Sequence, residues 1–176
     1  MTLFTNATIN TADLPRAEEV PLQPISKKYL QLLRVEWLLT AIVLIAGTVA
    51  LLIFSEKLQG QPFIYLLPAG VVLFLLFYFL FQEKTFPYRA YAVREHDVIY
   101  QKGWLVRRLK VCPFNRIQNC TVQQGPLERK WKLATLTLFT AGSNGADMRI
   151  AGLDHAEALQ LQQAILTRIN QHVANG

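Results

Sequence analysis

Three histidines and two cysteines are this chain's whole stock of imidazole and thiol groups, the side chains that most often bind soft metals or carry protons near neutral pH. His96 falls in a predicted turn, His155 in the first turn of a predicted helix, where exposure is expected, and His172 near that helix's end. None has a ligand partner at i+3 or i+4, so the HExxH type of metal spacing is absent. Cys112 and Cys120 lie in apolar-patterned strands without CxxC spacing and read as small buried hydrophobes. Ser143, in AGSNGA, lacks the strand–GxSxG–helix setting of a nucleophile elbow; a turn at Ser143-Asn144-Gly145 accounts for it. Asn119-Cys120-Thr121 matches a glycosylation sequon by letter only. No glycine pattern for nucleotide phosphates occurs, and the acidic residues stand singly, so no carboxylate pair is available for acid–base work. The expectation is a protein that is not an enzyme, with no cofactor and no metal.

Positive charge is the remaining chemistry. Arg107, Arg108 and Lys110 sit on a predicted third strand and Arg116 opens the fourth. Arg129, Lys130 and Lys132 surround Trp131. These eight residues can form a cationic interaction surface for anionic head groups or an acidic partner, with Trp131 inserting or stacking. They can equally be solvated strand faces around a partly buried Trp. No aromatic pair alternates with the basic residues as an RNA platform requires, so nucleic acid is not an expected partner.

What holds these residues follows from hydropathy. Overall, 52% of residues are hydrophobic and mean hydropathy is +0.22, values a soluble protein can reach. Their distribution is what separates the classes. Trp37 to Phe54 reads WLLTAIVLIAGTVALLIF and Pro62 to Phe81 reads PFIYLLPAGVVLFLLFYFLF, both without a charge. About 20 such residues cross a hydrocarbon core of ~30 Å, and neither run has the polar face of a soluble core helix. Only Ser55 to Gln61 separates them, which predicts an antiparallel transmembrane hairpin over residues 28–82, with Pro68 kinking the second span. Trp37 and Tyr78 are the expected membrane-interface anchors. Ala46 and Ala50 form a small-xxx-small pair, and homo-oligomerisation is left open. The first run starts too far from Met1 and is too long for a signal peptide. Residues 1–27, with Pro15, Pro21 and Pro24, read as a flexible tail.

Lys27, Lys28 and Arg34 precede the first span, and Lys84, Arg89 and Arg94 follow the second, while the connecting loop offers only Lys57. The positive-inside rule then places both termini, and the domain that follows the second span, in the cytoplasm. The whole formal excess of +6 lies in residues 82–176. A basic domain beside anionic lipid gains about 1 kcal/mol per nearby Lys or Arg.

From Pro87 onward the apolar period shortens to two. Strands are predicted at 88–95, 97–103, 104–114, 116–125, 135–142 and 147–153. Asp154-His155-Ala156-Glu157 reads as a capping box with Asp154 as N-cap and Glu157 reaching back. Ala158, Leu161, Ile165, Ile169 and Val173 form one helical stripe behind it. The expected fold over residues 84–173 is a mainly-β, α+β domain, an antiparallel barrel of about seven strands capped by a C-terminal α-helix.

Strands followed by one terminal helix is also the order of the pleckstrin-homology (PH) barrel, and particular residues carry the likeness further. The run RIQNCTVQQGPLERKWKLATLTLFTAG (116–142) resembles the bacterial PH-like domain family at Arg116-Ile117-Gln118, Gln124-Gly125-Pro126-Leu127, Ala134-Thr135-Leu136 and Thr140-Ala141-Gly142. Ile150-Ala151-Gly152-Leu153 continues the match, and the paired spans ahead of the domain resemble the YdbS-type members. The likeness covers about residues 28–172. It departs at Trp131-Lys132, where members commonly carry an aromatic followed by Gly. Losing that Gly removes an easy positive-φ position, so a different conformation is expected before Ala134. The resemblance implies a non-enzymatic interaction subunit of an inner-membrane complex, linked to cell-envelope stress or antimicrobial resistance. Its partner would be a larger membrane protein with several PH-like domains. The alternative implied by PH domains elsewhere is direct sensing of anionic lipids through the basic face, although the turn Arg94-Glu95-His96-Asp97 is too short and acidic to grip a phosphate.

A fluorescent reporter that matures only in the cytoplasm, fused after Gly176, is expected to light up, and alkaline phosphatase inserted after Lys57 to be active. The opposite pattern would reverse the topology.

Overall fold

The computed structural model describes residues 20–54, 62–141 and 146–174. The loop Ser55 to Gln61, the turn Ser143-Asn144-Gly145, most of the N-terminal tail and the side chains of His172 and Val173 lie outside the described residues.

Two long apolar helices come first, α1 (Lys28–Phe54) and α2 (Leu66–Thr85). Both are long and apolar enough to cross a membrane, and only 6% of the most apolar window of each is buried within the protein. A core helix of a soluble protein would hide that surface. Here Val43, Leu73 and Phe77 are all about two-thirds exposed, which water would not tolerate over such a length.

The helices meet along one seam. Arg34 and Glu83 form a two-bond ion pair at 2.6 and 3.1 Å, the Trp37 indole N–H donates to the Leu75 carbonyl at 3.0 Å, and the Trp37 and Phe79 rings lie 5.2 Å apart. Ala41 and Leu75 are buried where the helices touch. Pro68 departs from expectation. A 3-10 turn, Pro62–Tyr65, precedes α2, so Pro68 occupies the helix's first turn. The N–H it lacks is one of the donors left without a helical partner in any case, and α2 runs on continuously.

Beyond the hairpin lie two antiparallel sheets. The first orders β1 (Gln23–Pro24), β2 (Ala90–Val93), β3 (Asp97–Lys102) and β4 (Arg108–Pro113); the second orders β5 (Ile117–Gln123), β6 (Leu133–Thr140) and β7 (Met148–Asp154). A short helix, α3 (Pro126–Lys130), links β5 to β6, and α4 (His155–Ala174) follows β7. The core joins Val98, Leu136, Leu138 and Ile150 from both sheets with Ala158 and Ile165 of α4. Leu161 and Ile169 pack at its margin, so the helical stripe read from the sequence is the face that covers the barrel. This is the PH-like fold, seven strands and a C-terminal helix.

Three local expectations need correcting. The third strand does not begin at Trp104, because the ladder between β3 and β4 stops at Lys102 opposite Arg108. Gly103, at φ +101°, reverses the chain there. The Val106 carbonyl oxygen would lie 2.2 Å from a Cβ at that position, so residues 103–107 are a hairpin loop. At the helix start, the carboxylate of Glu157 accepts the Tyr91 hydroxyl, and Asp154 pairs with Lys28 at 2.7 Å. Burial first, then the neighbouring Glu157, pushes the Tyr91 phenol well above its ordinary pKa.

The third correction concerns the segment expected as a free tail. Gln23 and Pro24 pair with Tyr91 and Ala90, Ile25 is 4% exposed within the core, and Ser26 N–H donates to the Gly152 carbonyl at 2.9 Å. Burying Ile25 alone is worth about 1.5–3 kcal/mol. One turn later Tyr29 packs against Gly152, whose φ is +83° and whose missing Cβ would sit 2.6 Å from the ring's Cγ. The first helix is therefore seated in the barrel.

Gly152→Ala should destabilise the full chain in detergent by more than ~2 kcal/mol, since left-handed backbone costs an L residue ~1–2 kcal/mol and the methyl strikes Tyr29. Adding Tyr29→Ala should cost less in that background than in the wild type. Thermal melts of the four proteins check it, and simple additivity would mean that Tyr29 and Gly152 are not coupled.

Candidate functional site

The strand directions give the domain two ends. Gln123, Leu133, Asp154 and the β3–β4 loop share the end nearest the helices, where Asp154 holds Lys28. The β2–β3 turn, Phe114–Arg116 and the end of β6 form the far end.

This geometry divides the eight residues proposed as one cationic surface. Arg107 and Arg108 are exposed at the helix-facing rim, and the Arg107 guanidinium lies over Tyr88, 5.5 Å from the ring centroid. Arg129 and Lys130 are exposed on α3, also on this rim, with Lys130 over the half-buried Trp131 ring. Lys110 lies further along β4 and donates to the Asp147 carbonyl at 2.7 Å. Arg116 stands at the far end. The rim therefore brings Arg107, Arg108, Arg129, Lys130 and the exposed Lys132 to one end, and leaves Arg116 out. Of the expected anchors, Trp37 spends its indole N–H on Leu75, and Tyr78 stacks on Phe74 at 6.1 Å.

Lys132 resolves the departure from the family pattern. Its φ is +55°, the only positive φ at a non-glycine among the described residues. The backbone thus keeps the left-handed turn that a glycine would make without strain, and the expected alternative conformation does not arise. The turn lets the Lys132 carbonyl accept the His155 N–H at 2.9 Å, tying α3 to the start of α4.

Between the rim and α1 lies an open cleft of about 760 Å³. Arg89, Lys102 and Arg149 line it together with Glu36, Glu128 and Thr135. Glu128 is fully engaged: one oxygen accepts the Gly125 N–H at 2.7 Å and the other the Thr135 hydroxyl at 2.6 Å. Arg89 lies over the Tyr29 ring and donates to its hydroxyl at 3.3 Å. The cleft sets three cationic side chains beside two carboxylates, and the hydroxyl it holds against a carboxylate, Thr135 on Glu128, is itself buried.

Both cysteines are buried and free. Burial pushes the Cys120 thiol up to about 11 and raises Cys112 as well, so neither is a reactive thiolate at neutral pH. His96 is exposed. His155 is half-buried instead of exposed, and its Nδ1 has no hydrogen-bond partner. Among the described residues no group of three or more His, Cys, Asp or Glu side chains could hold a metal ion.

Sequence reasoning missed two features of the rim. Arg89 and Arg149 join the cleft only through folding, and no local signal marks them. Trp104, Leu105 and Val106 read as strand by side-chain type and form a loop. Gly103 was the available signal that the chain turns before them.

Two antiparallel sheets closed by a C-terminal helix, seated on an apolar helical hairpin, define a PH-like domain carried by a membrane protein. The family model for the bacterial PH domain matches residues 30–169, and the chain belongs to that family. It is similar to the transmembrane protein YdbS of Bacillus subtilis (strain 168), 35% identical over 75 residues. That alignment covers 43% of this chain and 45% of the relative, less than half the length of either. No solved structure gives a significant match.

Replacing Lys132 with Gly should stabilise the protein by about 0.5–1 kcal/mol, the relief of left-handed strain less the entropy of an added glycine. Denaturant unfolding of the two chains measures it; a loss of stability would mean that the Lys132 side chain outweighs its backbone.

Proposed function

We propose that the chain is a non-enzymatic inner-membrane protein with two spans, whose termini and PH-like domain face the cytoplasm, and that it acts as an interaction subunit of a membrane complex. The partner this reading implies is another membrane protein, with the resemblance favouring a larger one carrying several PH-like domains. One observation carries it: the domain is clamped to its hairpin. Ile25 in the barrel core, Tyr29 on Gly152 and Lys28 on Asp154 fix α1 to the barrel, while Arg34 on Glu83 fixes α1 to α2.

A domain so held presents its far end at one height and one angle above the bilayer. That suits the fixed face of a subunit, since little ordering entropy is lost when a partner docks. The far end also bears exposed residues from separate elements, including Glu95 and Asn115. The basic flanks of the apolar runs support the orientation.

A photo-crosslinking residue at Glu95 or Asn115 in cells should give a discrete adduct with one membrane protein, and Gly152→Trp, which unseats α1, should weaken that adduct without removing the chain from the membrane. Absence of a discrete adduct from both sites would overturn the subunit reading.

A further inference from the structure

Trp104, Leu105 and Val106 are the most conspicuous apolar residues outside the helices, 45%, 79% and 60% exposed in succession. A hairpin loop has no reason to show water three large apolar side chains, and single exposed ones are the norm. The loop's position supplies the reason. With Phe81 and Thr85 of α2 it encloses a cleft of about 280 Å³, and Phe81 is the last residue of the second apolar run. The loop is thus level with the end of the apolar helix surface, where hydrocarbon gives way to head groups.

Its flanks match that depth. Lys102, Arg107 and Arg108 are exposed on either side of the apolar tip, and the stacking of Arg107 on Tyr88 holds its charge beside the tip. Apolar tip, aromatic ring and basic collar is the arrangement that interfacial segments use, with Trp at head-group level and cations against anionic lipid. Gly103 fixes the reversal that aims the tip.

We infer that the β3–β4 loop, residues 103–107, inserts Trp104, Leu105 and Val106 into the leaflet on the domain's own side, as a third membrane contact beside the two helices. The occupant of this surface is the lipid bilayer that solvates α1 and α2. The basic collar sets a preference for anionic head groups, and the apolar tip binds neutral lipid as well. The inference rests on the reading that the helices span the membrane, and its test separates the two.

The full chain is reconstituted into phosphatidylcholine vesicles, with and without phosphatidylglycerol. Two single-tryptophan forms are compared: Trp104 alone (Trp37→Phe, Trp131→Phe) and Trp37 alone (Trp104→Phe, Trp131→Phe). Trp104 should show blue-shifted emission, quenching by lipids brominated near the head group, and protection from iodide in both lipids. Arg107→Gln with Arg108→Gln should weaken the quenching only where phosphatidylglycerol is present. Leu105→Asp with Val106→Asp should abolish it while leaving the melting temperature unchanged. If Trp37 is quenched by bromolipid and Trp104 is not, the helices span and the loop inference is overturned. If neither is quenched, the spanning reading itself fails and the loop inference falls with it.

Discussion

Everything above the hairpin depends on how α1 enters the barrel. A tethered domain usually hangs on a linker whose residues each retain conformational freedom. In this protein the chain just before the first helix is a strand of the sheet, the residue after that strand lies in the core, and the helix's first turn lies on a glycine of β7. The barrel and the helix share side chains in one packed interior, so neither moves without disturbing the other. Asp154 extends the same joint, because the residue that leads into α4 also pairs with the first residue of α1.

That joint organises the rest of the rim. Once α1 is seated, α2 returns beside it through Arg34 and Glu83 and delivers β2 next to β1. The cleft with Arg89, Lys102 and Arg149 opens between the seated helix and α3. The β3–β4 loop comes to lie against the last turns of α2. The exposed cations of the predicted surface are sorted by the same geometry, with Arg107, Arg108, Arg129, Lys130 and Lys132 at the rim and Arg116 at the far end.

Large parts of this were legible in residue order. Charge-free runs of hydrocarbon length, the shift to period two after Pro87, and the stripe from Ala158 to Ile169 gave the helices, the sheets and the covering face, because each is a local periodicity. The misreadings share one physical cause, a tertiary partner that residue order does not display. Residues 23–25 look like tail by composition and become strand and core only because β2 offers an unpaired edge. Trp104 to Val106 look like strand by side-chain type, yet the register with β4 excludes them. Lys132 looks unable to make a left-handed turn and makes it, held by the His155 N–H. The rim itself was half visible: its arginines stood out, while Arg89 and Arg149 needed the fold to meet.

The unbroken length of α1 has a mechanical meaning. At ~1.5 Å per residue, its 27 residues make a rod of roughly 40 Å, longer than a hydrocarbon core of ~30 Å, and the surplus is the part wedged in the barrel. A rod fixed at one end acts as a lever: when it leans, the barrel leans through the same angle. Bilayers of different thickness, which oblige such rods to lean by different amounts, would therefore tip the whole barrel and swing its outermost turns sideways, with no joint to absorb the torque.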